Sequence, residues 1–254
     1  MTARPAWTRG EMLAVAGSLQ VRDGDVAIVG LGLPQVAALL ARYTHAPSTR
    51  LLLEIGVFEP DPTEPAMGIA DPRMWQGGSS FGSMLEILGV MLHGRRVTLG
   101  MLGALQVDQW GSINTTEVVA EDGSRRRFNG SGGGNDIASH AARTVVIMSH
   151  QPRKFARVLP FVTSPGRMVR GRPRDQFGLT GGGTCAIVTD RAVIAIGPQG
   201  AVLDSVHPGE DPDAVVADTP IPLLRGAPAE TPAPTAEQLD LIRSRLDPHG
   251  WYTR

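Results

Sequence analysis

Residues 26–56 read VAIVGLGLPQVAALLARYTHAPSTRLLLEIG, and the fold follows from how that run divides. Residues 26–30 and 51–53 are short, unbroken apolar runs of strand length, which suits strands buried on both faces; half-exposed strands would alternate. Between them residues 35–45 carry their apolar side chains at helical spacing, and Pro34 suits a first helical turn, where its missing N–H costs nothing. Strand, glycine-rich turn, helix, strand is a parallel α/β unit, whose ligands gather at the carboxyl ends of the strands. Glu54 stands at such an end, directly after three leucines. A carboxylate there is costly to bury unless it is paired or used.

Reading outward, Thr8 and Glu11 have the spacing of a capping box ahead of an opening helix. Downstream, FGSMLEILGVMLHG (81–94) reads as a helix entered through Ser79 or Ser80, RRVTLGML (95–102) as a strand, and GALQVDQWGSINTT (103–116) as a loop. FNGSGGGNDIASHAA (128–142) is a glycine-rich loop opening a helix, and RTVVIMSH (143–150) is again a buried strand. Past residue 152 the style changes: TCAIVTDRAVIAIGPQGAVLDSVHPG (184–209) reads as a meander with tight turns, and the chain closes on a proline-rich linker and a capped helix. The expected fold is one α/β domain over residues 1–254, an open, mostly parallel sheet flanked by helices up to about residue 150, with a β-rich portion and a terminal helix over 151–254.

Composition narrows the function. The chain has 254 residues, a formal net charge of -1 and 42% hydrophobic residues, and its longest basic run is Arg125 to Arg127, so a nucleic-acid surface is not expected. Cys185 is the only cysteine, which excludes an internal disulfide and a cysteine-based metal site. At the start of a strand it reads as a small core residue. The six histidines show no ligand spacing, so no metal is expected, and His140, His150 and His207 read as structural. The N-terminus has no apolar stretch of signal-peptide length and no segment reaches membrane-spanning length; the expectation is a cytoplasmic protein with no membrane.

Two glycine motifs carry more. Gly30-Leu-Gly32-Leu-Pro34 follows a strand and opens a helix, but Gln35 stands where a dinucleotide fingerprint has its third glycine; a tight turn explains it as well. Gly130-Ser-Gly-Gly-Gly134 is more informative. Four glycines in five residues cost folding entropy, and exposed amides at a helix start suit an oxyanion or a phosphate. No lysine follows as in a nucleotide phosphate loop; Lys154, the one lysine, lies well downstream.

VGLGLP, the strand ending in Glu54-x-Gly56, GALQVDQWGSINTT, FNGSGGGNDIA, FVTSPG and LIRSRLDP follow one another along nearly the whole chain. Together they resemble the β subunit of the family I coenzyme A transferases, the glutaconate CoA-transferase β subunit above all. The resemblance implies that Glu54 is the catalytic nucleophile and that amides of Gly132, Gly133 and Gly134 form the oxyanion and CoA-thioester loop. It also implies a pocket including Gly32, Ile55, Gly56 and Gln106, CoA esters as substrates with no permanently bound cofactor, and an α subunit in an α2β2 or larger complex. Gln106 reads equally as an acyl-orienting group and as a turn residue. Arg125 to Arg127 read as a solvated loop ahead of a site for CoA phosphates.

Two positions depart from the family pattern. Ile55 replaces the small polar residue that follows the nucleophile, and Ser112 replaces an asparagine. The family includes a decarboxylase with cysteine at the nucleophile position and a ring-opening hydrolase without the glutamate; the retained glutamate favours transfer. Two alternatives stay open: a CoA-thioester hydrolase or lyase in which Glu54 is a general base, and a non-catalytic partner of the α subunit.

Overall fold

The computed structural model describes residues 7–64, 66–69, 71–120, 122–224 and 226–254; residues 1–6, read above for a leader, lie outside them. The opening helix α1 (Arg9–Ser18) starts at the expected capping box, with Thr8 Oγ1 accepting from Glu11 N and Glu11 accepting from Thr8 N. Then come strand β1 (Val26–Val29), helix α2 (Leu33–Tyr43) and strand β2 (Arg50–Leu53), with β1 and β2 parallel and Ile28 opposite Leu52.

After β2 the chain turns back through two short antiparallel strands, β3 (Val57–Phe58) and β4 (Ser80–Phe81). β5 (Leu99–Gly103) returns to pair with the other side of β1. Helix α3 (Gly134–His140) leads into β6 (Arg143–Ile147), parallel to β5, and β7 (Thr184–Val188) is parallel to β6. β8 (Ala192–Gly197) and β9 (Gly200–Val206) complete the expected antiparallel meander. One sheet thus runs in the order β9-β8-β7-β6-β5-β1-β2-β3-β4, with Leu223–Leu224 and Ala229–Glu230 both beside β9. The sheet is mixed, with a parallel centre flanked by helices.

Strand alternation divides the core in two. Ala27, Val29, Leu51 and Leu53 face α1 and α2, whereas Ile28, Leu52 and Leu102 face Ile137 of α3 and Ile87. Leu51, Leu52 and Leu53 are at most 2% exposed, each contributing about 1.5–3 kcal/mol of apolar burial. At the opposite end of the sheet from Glu54, Arg143 grips Asp25 with two bonds of 2.8 and 2.6 Å, fixing the starts of β6 and β1 together.

The helix after β4 differs from its expected entry. Ser80 belongs to β4, and the helix begins with the Ser83 hydroxyl accepting from Glu86 N at 3.2 Å while Glu86 accepts from Ser83 N at 2.6 Å. A serine three residues before a glutamate outcompetes the pair upstream, because only that spacing satisfies both free amides. Residues Leu85–Leu92 then wind as a wide π-helix. The expected loop after β5 contains an antiparallel hairpin of Gln106–Val107 with Ile113–Asn114, and Arg125–Arg127 pair as a strand with Glu117–Val119. No helix among the described residues is long and apolar enough to cross a membrane.

Candidate active site

Alternation continues past the end of β2. Glu54 falls on the face of Leu52, toward α3 and the 85–92 helix, and Ile55 falls on the face of Leu53, where it packs against the core under α1 and α2. The bulk that Ile55 adds to the motif is therefore on the far side of the sheet from the carboxylate. Gly56 makes the return into β3: its φ is +104° and an added Cβ would collide with the Gly82 carbonyl. That glycine is a requirement of the backbone.

The glycine loop reaches Glu54 from β5's other neighbour. Gly100 of β5 leaves room for Ile137, seating α3 on the sheet. The start of α3 then meets the end of β2, and Gly133 N–H donates to Glu54 Oε2 at 3.0 Å. Gly133 has φ -76° and ψ -1°, a conformation open to any residue, so its lack of a side chain serves space rather than backbone geometry. A Cβ there would run into Glu54 Oε2 and lie 3.2 Å from its carboxyl carbon. Gly132, at φ +49°, lies next to Oε1, which has no hydrogen-bond partner among the described residues.

Hydroxyls hold the loop in place. Thr115 Oγ1 donates to Gly130 O at 2.7 Å and Gly130 N returns a bond to Thr115 O at 3.1 Å. Ser131 Oγ accepts from Asn135 N at 3.1 Å, bracing the first turn of α3. Thr163 Oγ1 accepts from Thr115 N at 2.9 Å, which brings Ser164 alongside.

The carboxylate opens into a cavity of about 240 Å³, walled by β1 and β5 ends, the glycine loop, Met74 and Ile113, with Thr115, Ser131 and Ser164 among its polar groups. Burial pushes the Glu54 carboxyl above its usual range; the Gly133 N–H pulls it back in part, and the charge of Asp136 adds to the rise. A half-desolvated carboxylate with one oxygen held and the other facing space is a more reactive nucleophile or base than one in water.

The remaining sequence candidates are distributed more widely. Gly134 lines the Glu54 cavity. Gln106 does not: it accepts from Asn114 Nδ2 at 2.9 Å, donates to Arg153 O at 3.2 Å, and lines a separate cavity beneath the Arg125–Arg127 strand. Gly32 is the N-cap of α2 with φ +78°, against the Tyr252 ring, beside a third cavity. Ser112 Oγ accepts from Gly166 N at 3.3 Å and belongs to the turn around Asp108. His150 is buried between Thr189 and Thr219, with burial holding its imidazole down to about 4, and His207 bonds Thr231 and the Thr189 carbonyl. His140 lies against His93 with the rings tilted 35° and their centroids 3.9 Å apart, outside the cavity lining. Cys185 packs partly buried against the core, and burial pushes its thiol up.

Thr115 and Ser164 were not singled out by sequence reasoning, although both lie in stretches quoted for the resemblance. Their signal is weak because each meets the glycine loop only through tertiary contacts.

A family model described as coenzyme A transferase matches residues 10–218. The chain belongs to the coenzyme A transferase family. It is 34% identical over 242 residues to the β subunit of the 3-oxoadipate CoA-transferase of Pseudomonas knackmussii, covering 94% of this chain and 93% of that one. It is 29% identical to the β subunit of the glutaconate CoA-transferase of Acidaminococcus fermentans over 95% of this chain and 93% of that one. The crystal structure of that glutaconate CoA-transferase superposes with a TM-score of 0.88 over 99% of both chains at 28% identity. The cholesterol ring-cleaving hydrolase IpdB subunit of Mycobacterium tuberculosis is also 29% identical, over 95% of each chain. As a CoA-transferase chain of the β type, it is similar to subunits of heteromeric enzymes, which implies an α partner.

Proposed function

We propose that this chain is the β subunit of an acyl-CoA:carboxylate CoA-transferase that works through a covalent Glu54–CoA thioester, with an α subunit in an α2β2 or larger assembly. The observation that carries the reading is the Glu54 carboxylate, half-buried at a strand end, with Gly133 N–H at 3.0 Å and, facing a cavity, a second oxygen that has no partner among the described residues.

That geometry supports the following chemistry. Glu54 Oε1 attacks the thioester carbonyl of a donor, and CoA leaves as thiolate, giving a mixed anhydride. The thiolate attacks the Glu54 carbonyl carbon, and the donor acid departs with the bridging oxygen. In that step negative charge gathers on the glutamyl oxygen that Gly133 N–H already faces, and Gly132 lies beside it. An acceptor carboxylate then reverses both steps and leaves as its CoA ester. Thioester energy passes through the protein as covalent bonds, so each barrier is that of a carbonyl exchange.

The cavity also speaks to the acids exchanged. Its described lining is mostly apolar, with three hydroxyls and, besides Glu54, no charged side chain. This supports acyl groups with an apolar body; a second carboxylate on the acid would have to be met by the α subunit. Similarity to a ring-cleaving hydrolase subunit supports a second reading, in which Glu54 is a general base for water or carbon chemistry on a CoA ester.

One experiment separates them. The chain, copurified with its α partner, is mixed with a panel of acyl-CoAs without acceptor and its intact mass recorded, followed by tryptic mapping of residues 51–73. A CoA-sized adduct on Glu54 is the expected result. Catalytic accumulation of free acid and CoA without adduct overturns the transferase reading in favour of the hydrolase, and full activity of Glu54→Ala would leave the chain a non-catalytic partner.

A further inference from the structure

Between β3 and β4 the chain leaves the sheet at Asp61 and returns at Gln76 to the point from which it left. Asp61 N donates to Gln76 O at 2.8 Å, and Gln76 Oε1 accepts from both the amide and the hydroxyl of Thr63 at 3.1 Å. Gly77, at φ +69°, fits against Asp61, where any Cβ would collide. A loop closed at its neck in this way is an Ω-loop, a form frequent at functional sites.

Its position is fixed from within and from the end of the chain. Asp71 caps the short turn Pro72–Trp75, accepting from Arg73 N at 3.1 Å, and accepts from Met67 N at 3.0 Å. Arg73 bonds Asp71 at 2.5 Å and Glu64 at 3.1 Å. Buried Asp247 accepts from the amides of Trp251, Tyr252 and Thr253 at 2.8, 2.9 and 2.8 Å, folding the tail into a turn against the loop. There the Trp251 ring centroid lies 5.3 Å from the Arg73 guanidinium carbon. Both backbone groups of Ala66 are engaged: Tyr252 Oη donates to Ala66 O at 2.9 Å, and Gln35 Oε1 accepts from Ala66 N at 3.2 Å. Exposed ion pairs hold little by themselves; the bonds to Ala66, and the burial of Ala66 and Met74 in the core under α1 and α2, are what locate the loop.

This frame presents an apolar face to the Glu54 cavity, which Ile69 and Met74 both line. Met74 is explained by its place in the core. Ile69 belongs to neither core and is 45% exposed. A lone exposed isoleucine needs no explanation on an open surface, but this one stands at the reacting cavity on a backbone held in place. Opposite it, Leu102, Ile113 and Ile137 are committed to packing on the α3 side of the sheet. Only the loop side can change the room beside Glu54 without disturbing the core.

We propose that Ile69 selects the acyl group. It is the outer wall against which the apolar body of the acid lies, it limits the length admitted, and Tyr252, through Ala66, is the positioning residue that holds the wall at its distance from Glu54. The proposal rests on the CoA-transfer reading of Glu54 and concerns which acids that chemistry accepts.

The test uses the α–β complex with butanoyl-CoA and hexanoyl-CoA as donors and acetate as the common acceptor, and reads the ratio of kcat/KM, hexanoyl over butanoyl. One methylene in an apolar pocket changes kcat/KM by about 10- to 200-fold. Ile69→Ala should raise the ratio about tenfold, the low end because the side chain is half-exposed, and Ile69→Trp should lower it by a similar factor. Tyr252→Phe, which removes the bond to Ala66 O, should move the ratio in the direction of Ile69→Ala by about threefold, the loss of one neutral hydrogen bond; a merely structural tyrosine would slow both donors alike. A ratio unchanged in both Ile69 variants overturns the proposal. So does an Ile69→Ala complex whose subunits separate on dilution while the ratio holds, since Ile69 would then serve the subunit contact. A native complex that releases free acid and CoA without acceptor refutes the transferase reading instead, and the ratio is then read from hydrolysis. If neither donor turns over, the ratio of their dissociation constants, measured by calorimetry in the native and Ile69→Ala complexes, decides between the same outcomes.

Discussion

Gly133→Ala isolates the contact on which the proposed chemistry turns. The added methyl collides with Glu54 Oε2 and lies 3.2 Å from the carboxyl carbon and 3.3 Å from Leu88 Cδ1, so either the carboxylate swings away or the loop retreats. Both break the 3.0 Å bond from Gly133 N–H. A hydrogen bond to a charged group contributes about 1.5–3 kcal/mol, and loss of one oxyanion donor lowers turnover by about 10²–10³. The expected fall in kcat is therefore about two to three orders of magnitude. Stability tells the two effects apart: φ -76° and ψ -1° are ordinary for alanine, and the Leu88 methyl is the far end of a flexible side chain. The melting free energy should move by less than about 1 kcal/mol. The assay is acceptor-dependent formation of the new CoA ester by the α–β complex, alongside thermal unfolding of the same samples. A variant that keeps kcat within threefold refutes the reasoning, and so does one that loses activity only by failing to fold.

Glu54→Gln should lower transfer by roughly a thousandfold or more, since an amide does not replace the carboxylate nucleophile. Its effect on stability has a definite sign. Because burial raises the folded carboxyl above the ordinary glutamate value of 4.5, the native residue stabilises the fold only while protonated, and that contribution is lost as pH rises through the folded pKa. Melting of Glu54→Gln relative to the native chain should improve from pH 4 to pH 7, and the acid limb of kcat/KM in the native complex should have its midpoint above 4.5; a gap that narrows with pH, or a midpoint below that value, contradicts the burial argument. Arg174→Ala removes a buried guanidinium that bonds the carbonyls of Gly166, Ala138 and Ser139 at 2.8, 2.7 and 2.9 Å, bracing the end of α3 and the segment carrying Ser164. A loss of about 3 kcal/mol or more is expected in urea unfolding, with Arg174→Lys recovering only part of it because an ammonium lacks the planar fork; full recovery by lysine would show that charge alone matters.

The parallel centre of the sheet was legible because two-faced burial leaves an unmistakable composition: LLL in β2 and VVI in β6 have no polar face to misplace. Glu54 and the glycine loop were legible for a related reason, since both interrupt a pattern that otherwise serves packing, and the structure brings them together at 3.0 Å. Ile55 was expected in the pocket, whereas the structure packs it against the core on the other face of the sheet, as period-two counting from Leu53 gives. The surroundings were harder. Whether Gly32 and Gly56 serve a ligand or the backbone depends on φ, which residue type does not disclose. Gln106 sits in a two-residue hairpin strand and Ser164 in a loop, both too short to show a periodicity. Ser79 and Ser80 resemble a helix cap as well as Ser83 does until the pairing of β4 with β3 claims them.

The unequal treatment of the two Glu54 oxygens has a consequence for the atoms themselves. Oε2 is tethered by Gly133 N–H and Oε1 is not, so the carboxylate resists the half-turn that would interchange them. In the proposed cycle the departing acid carries away the oxygen that attacked, and the incoming acid leaves one of its own in the same place. The protein would then hold, between turnovers, an atom borrowed from its previous substrate, always in one of two chemically identical positions. An isotope entering with one acid would leave with the next.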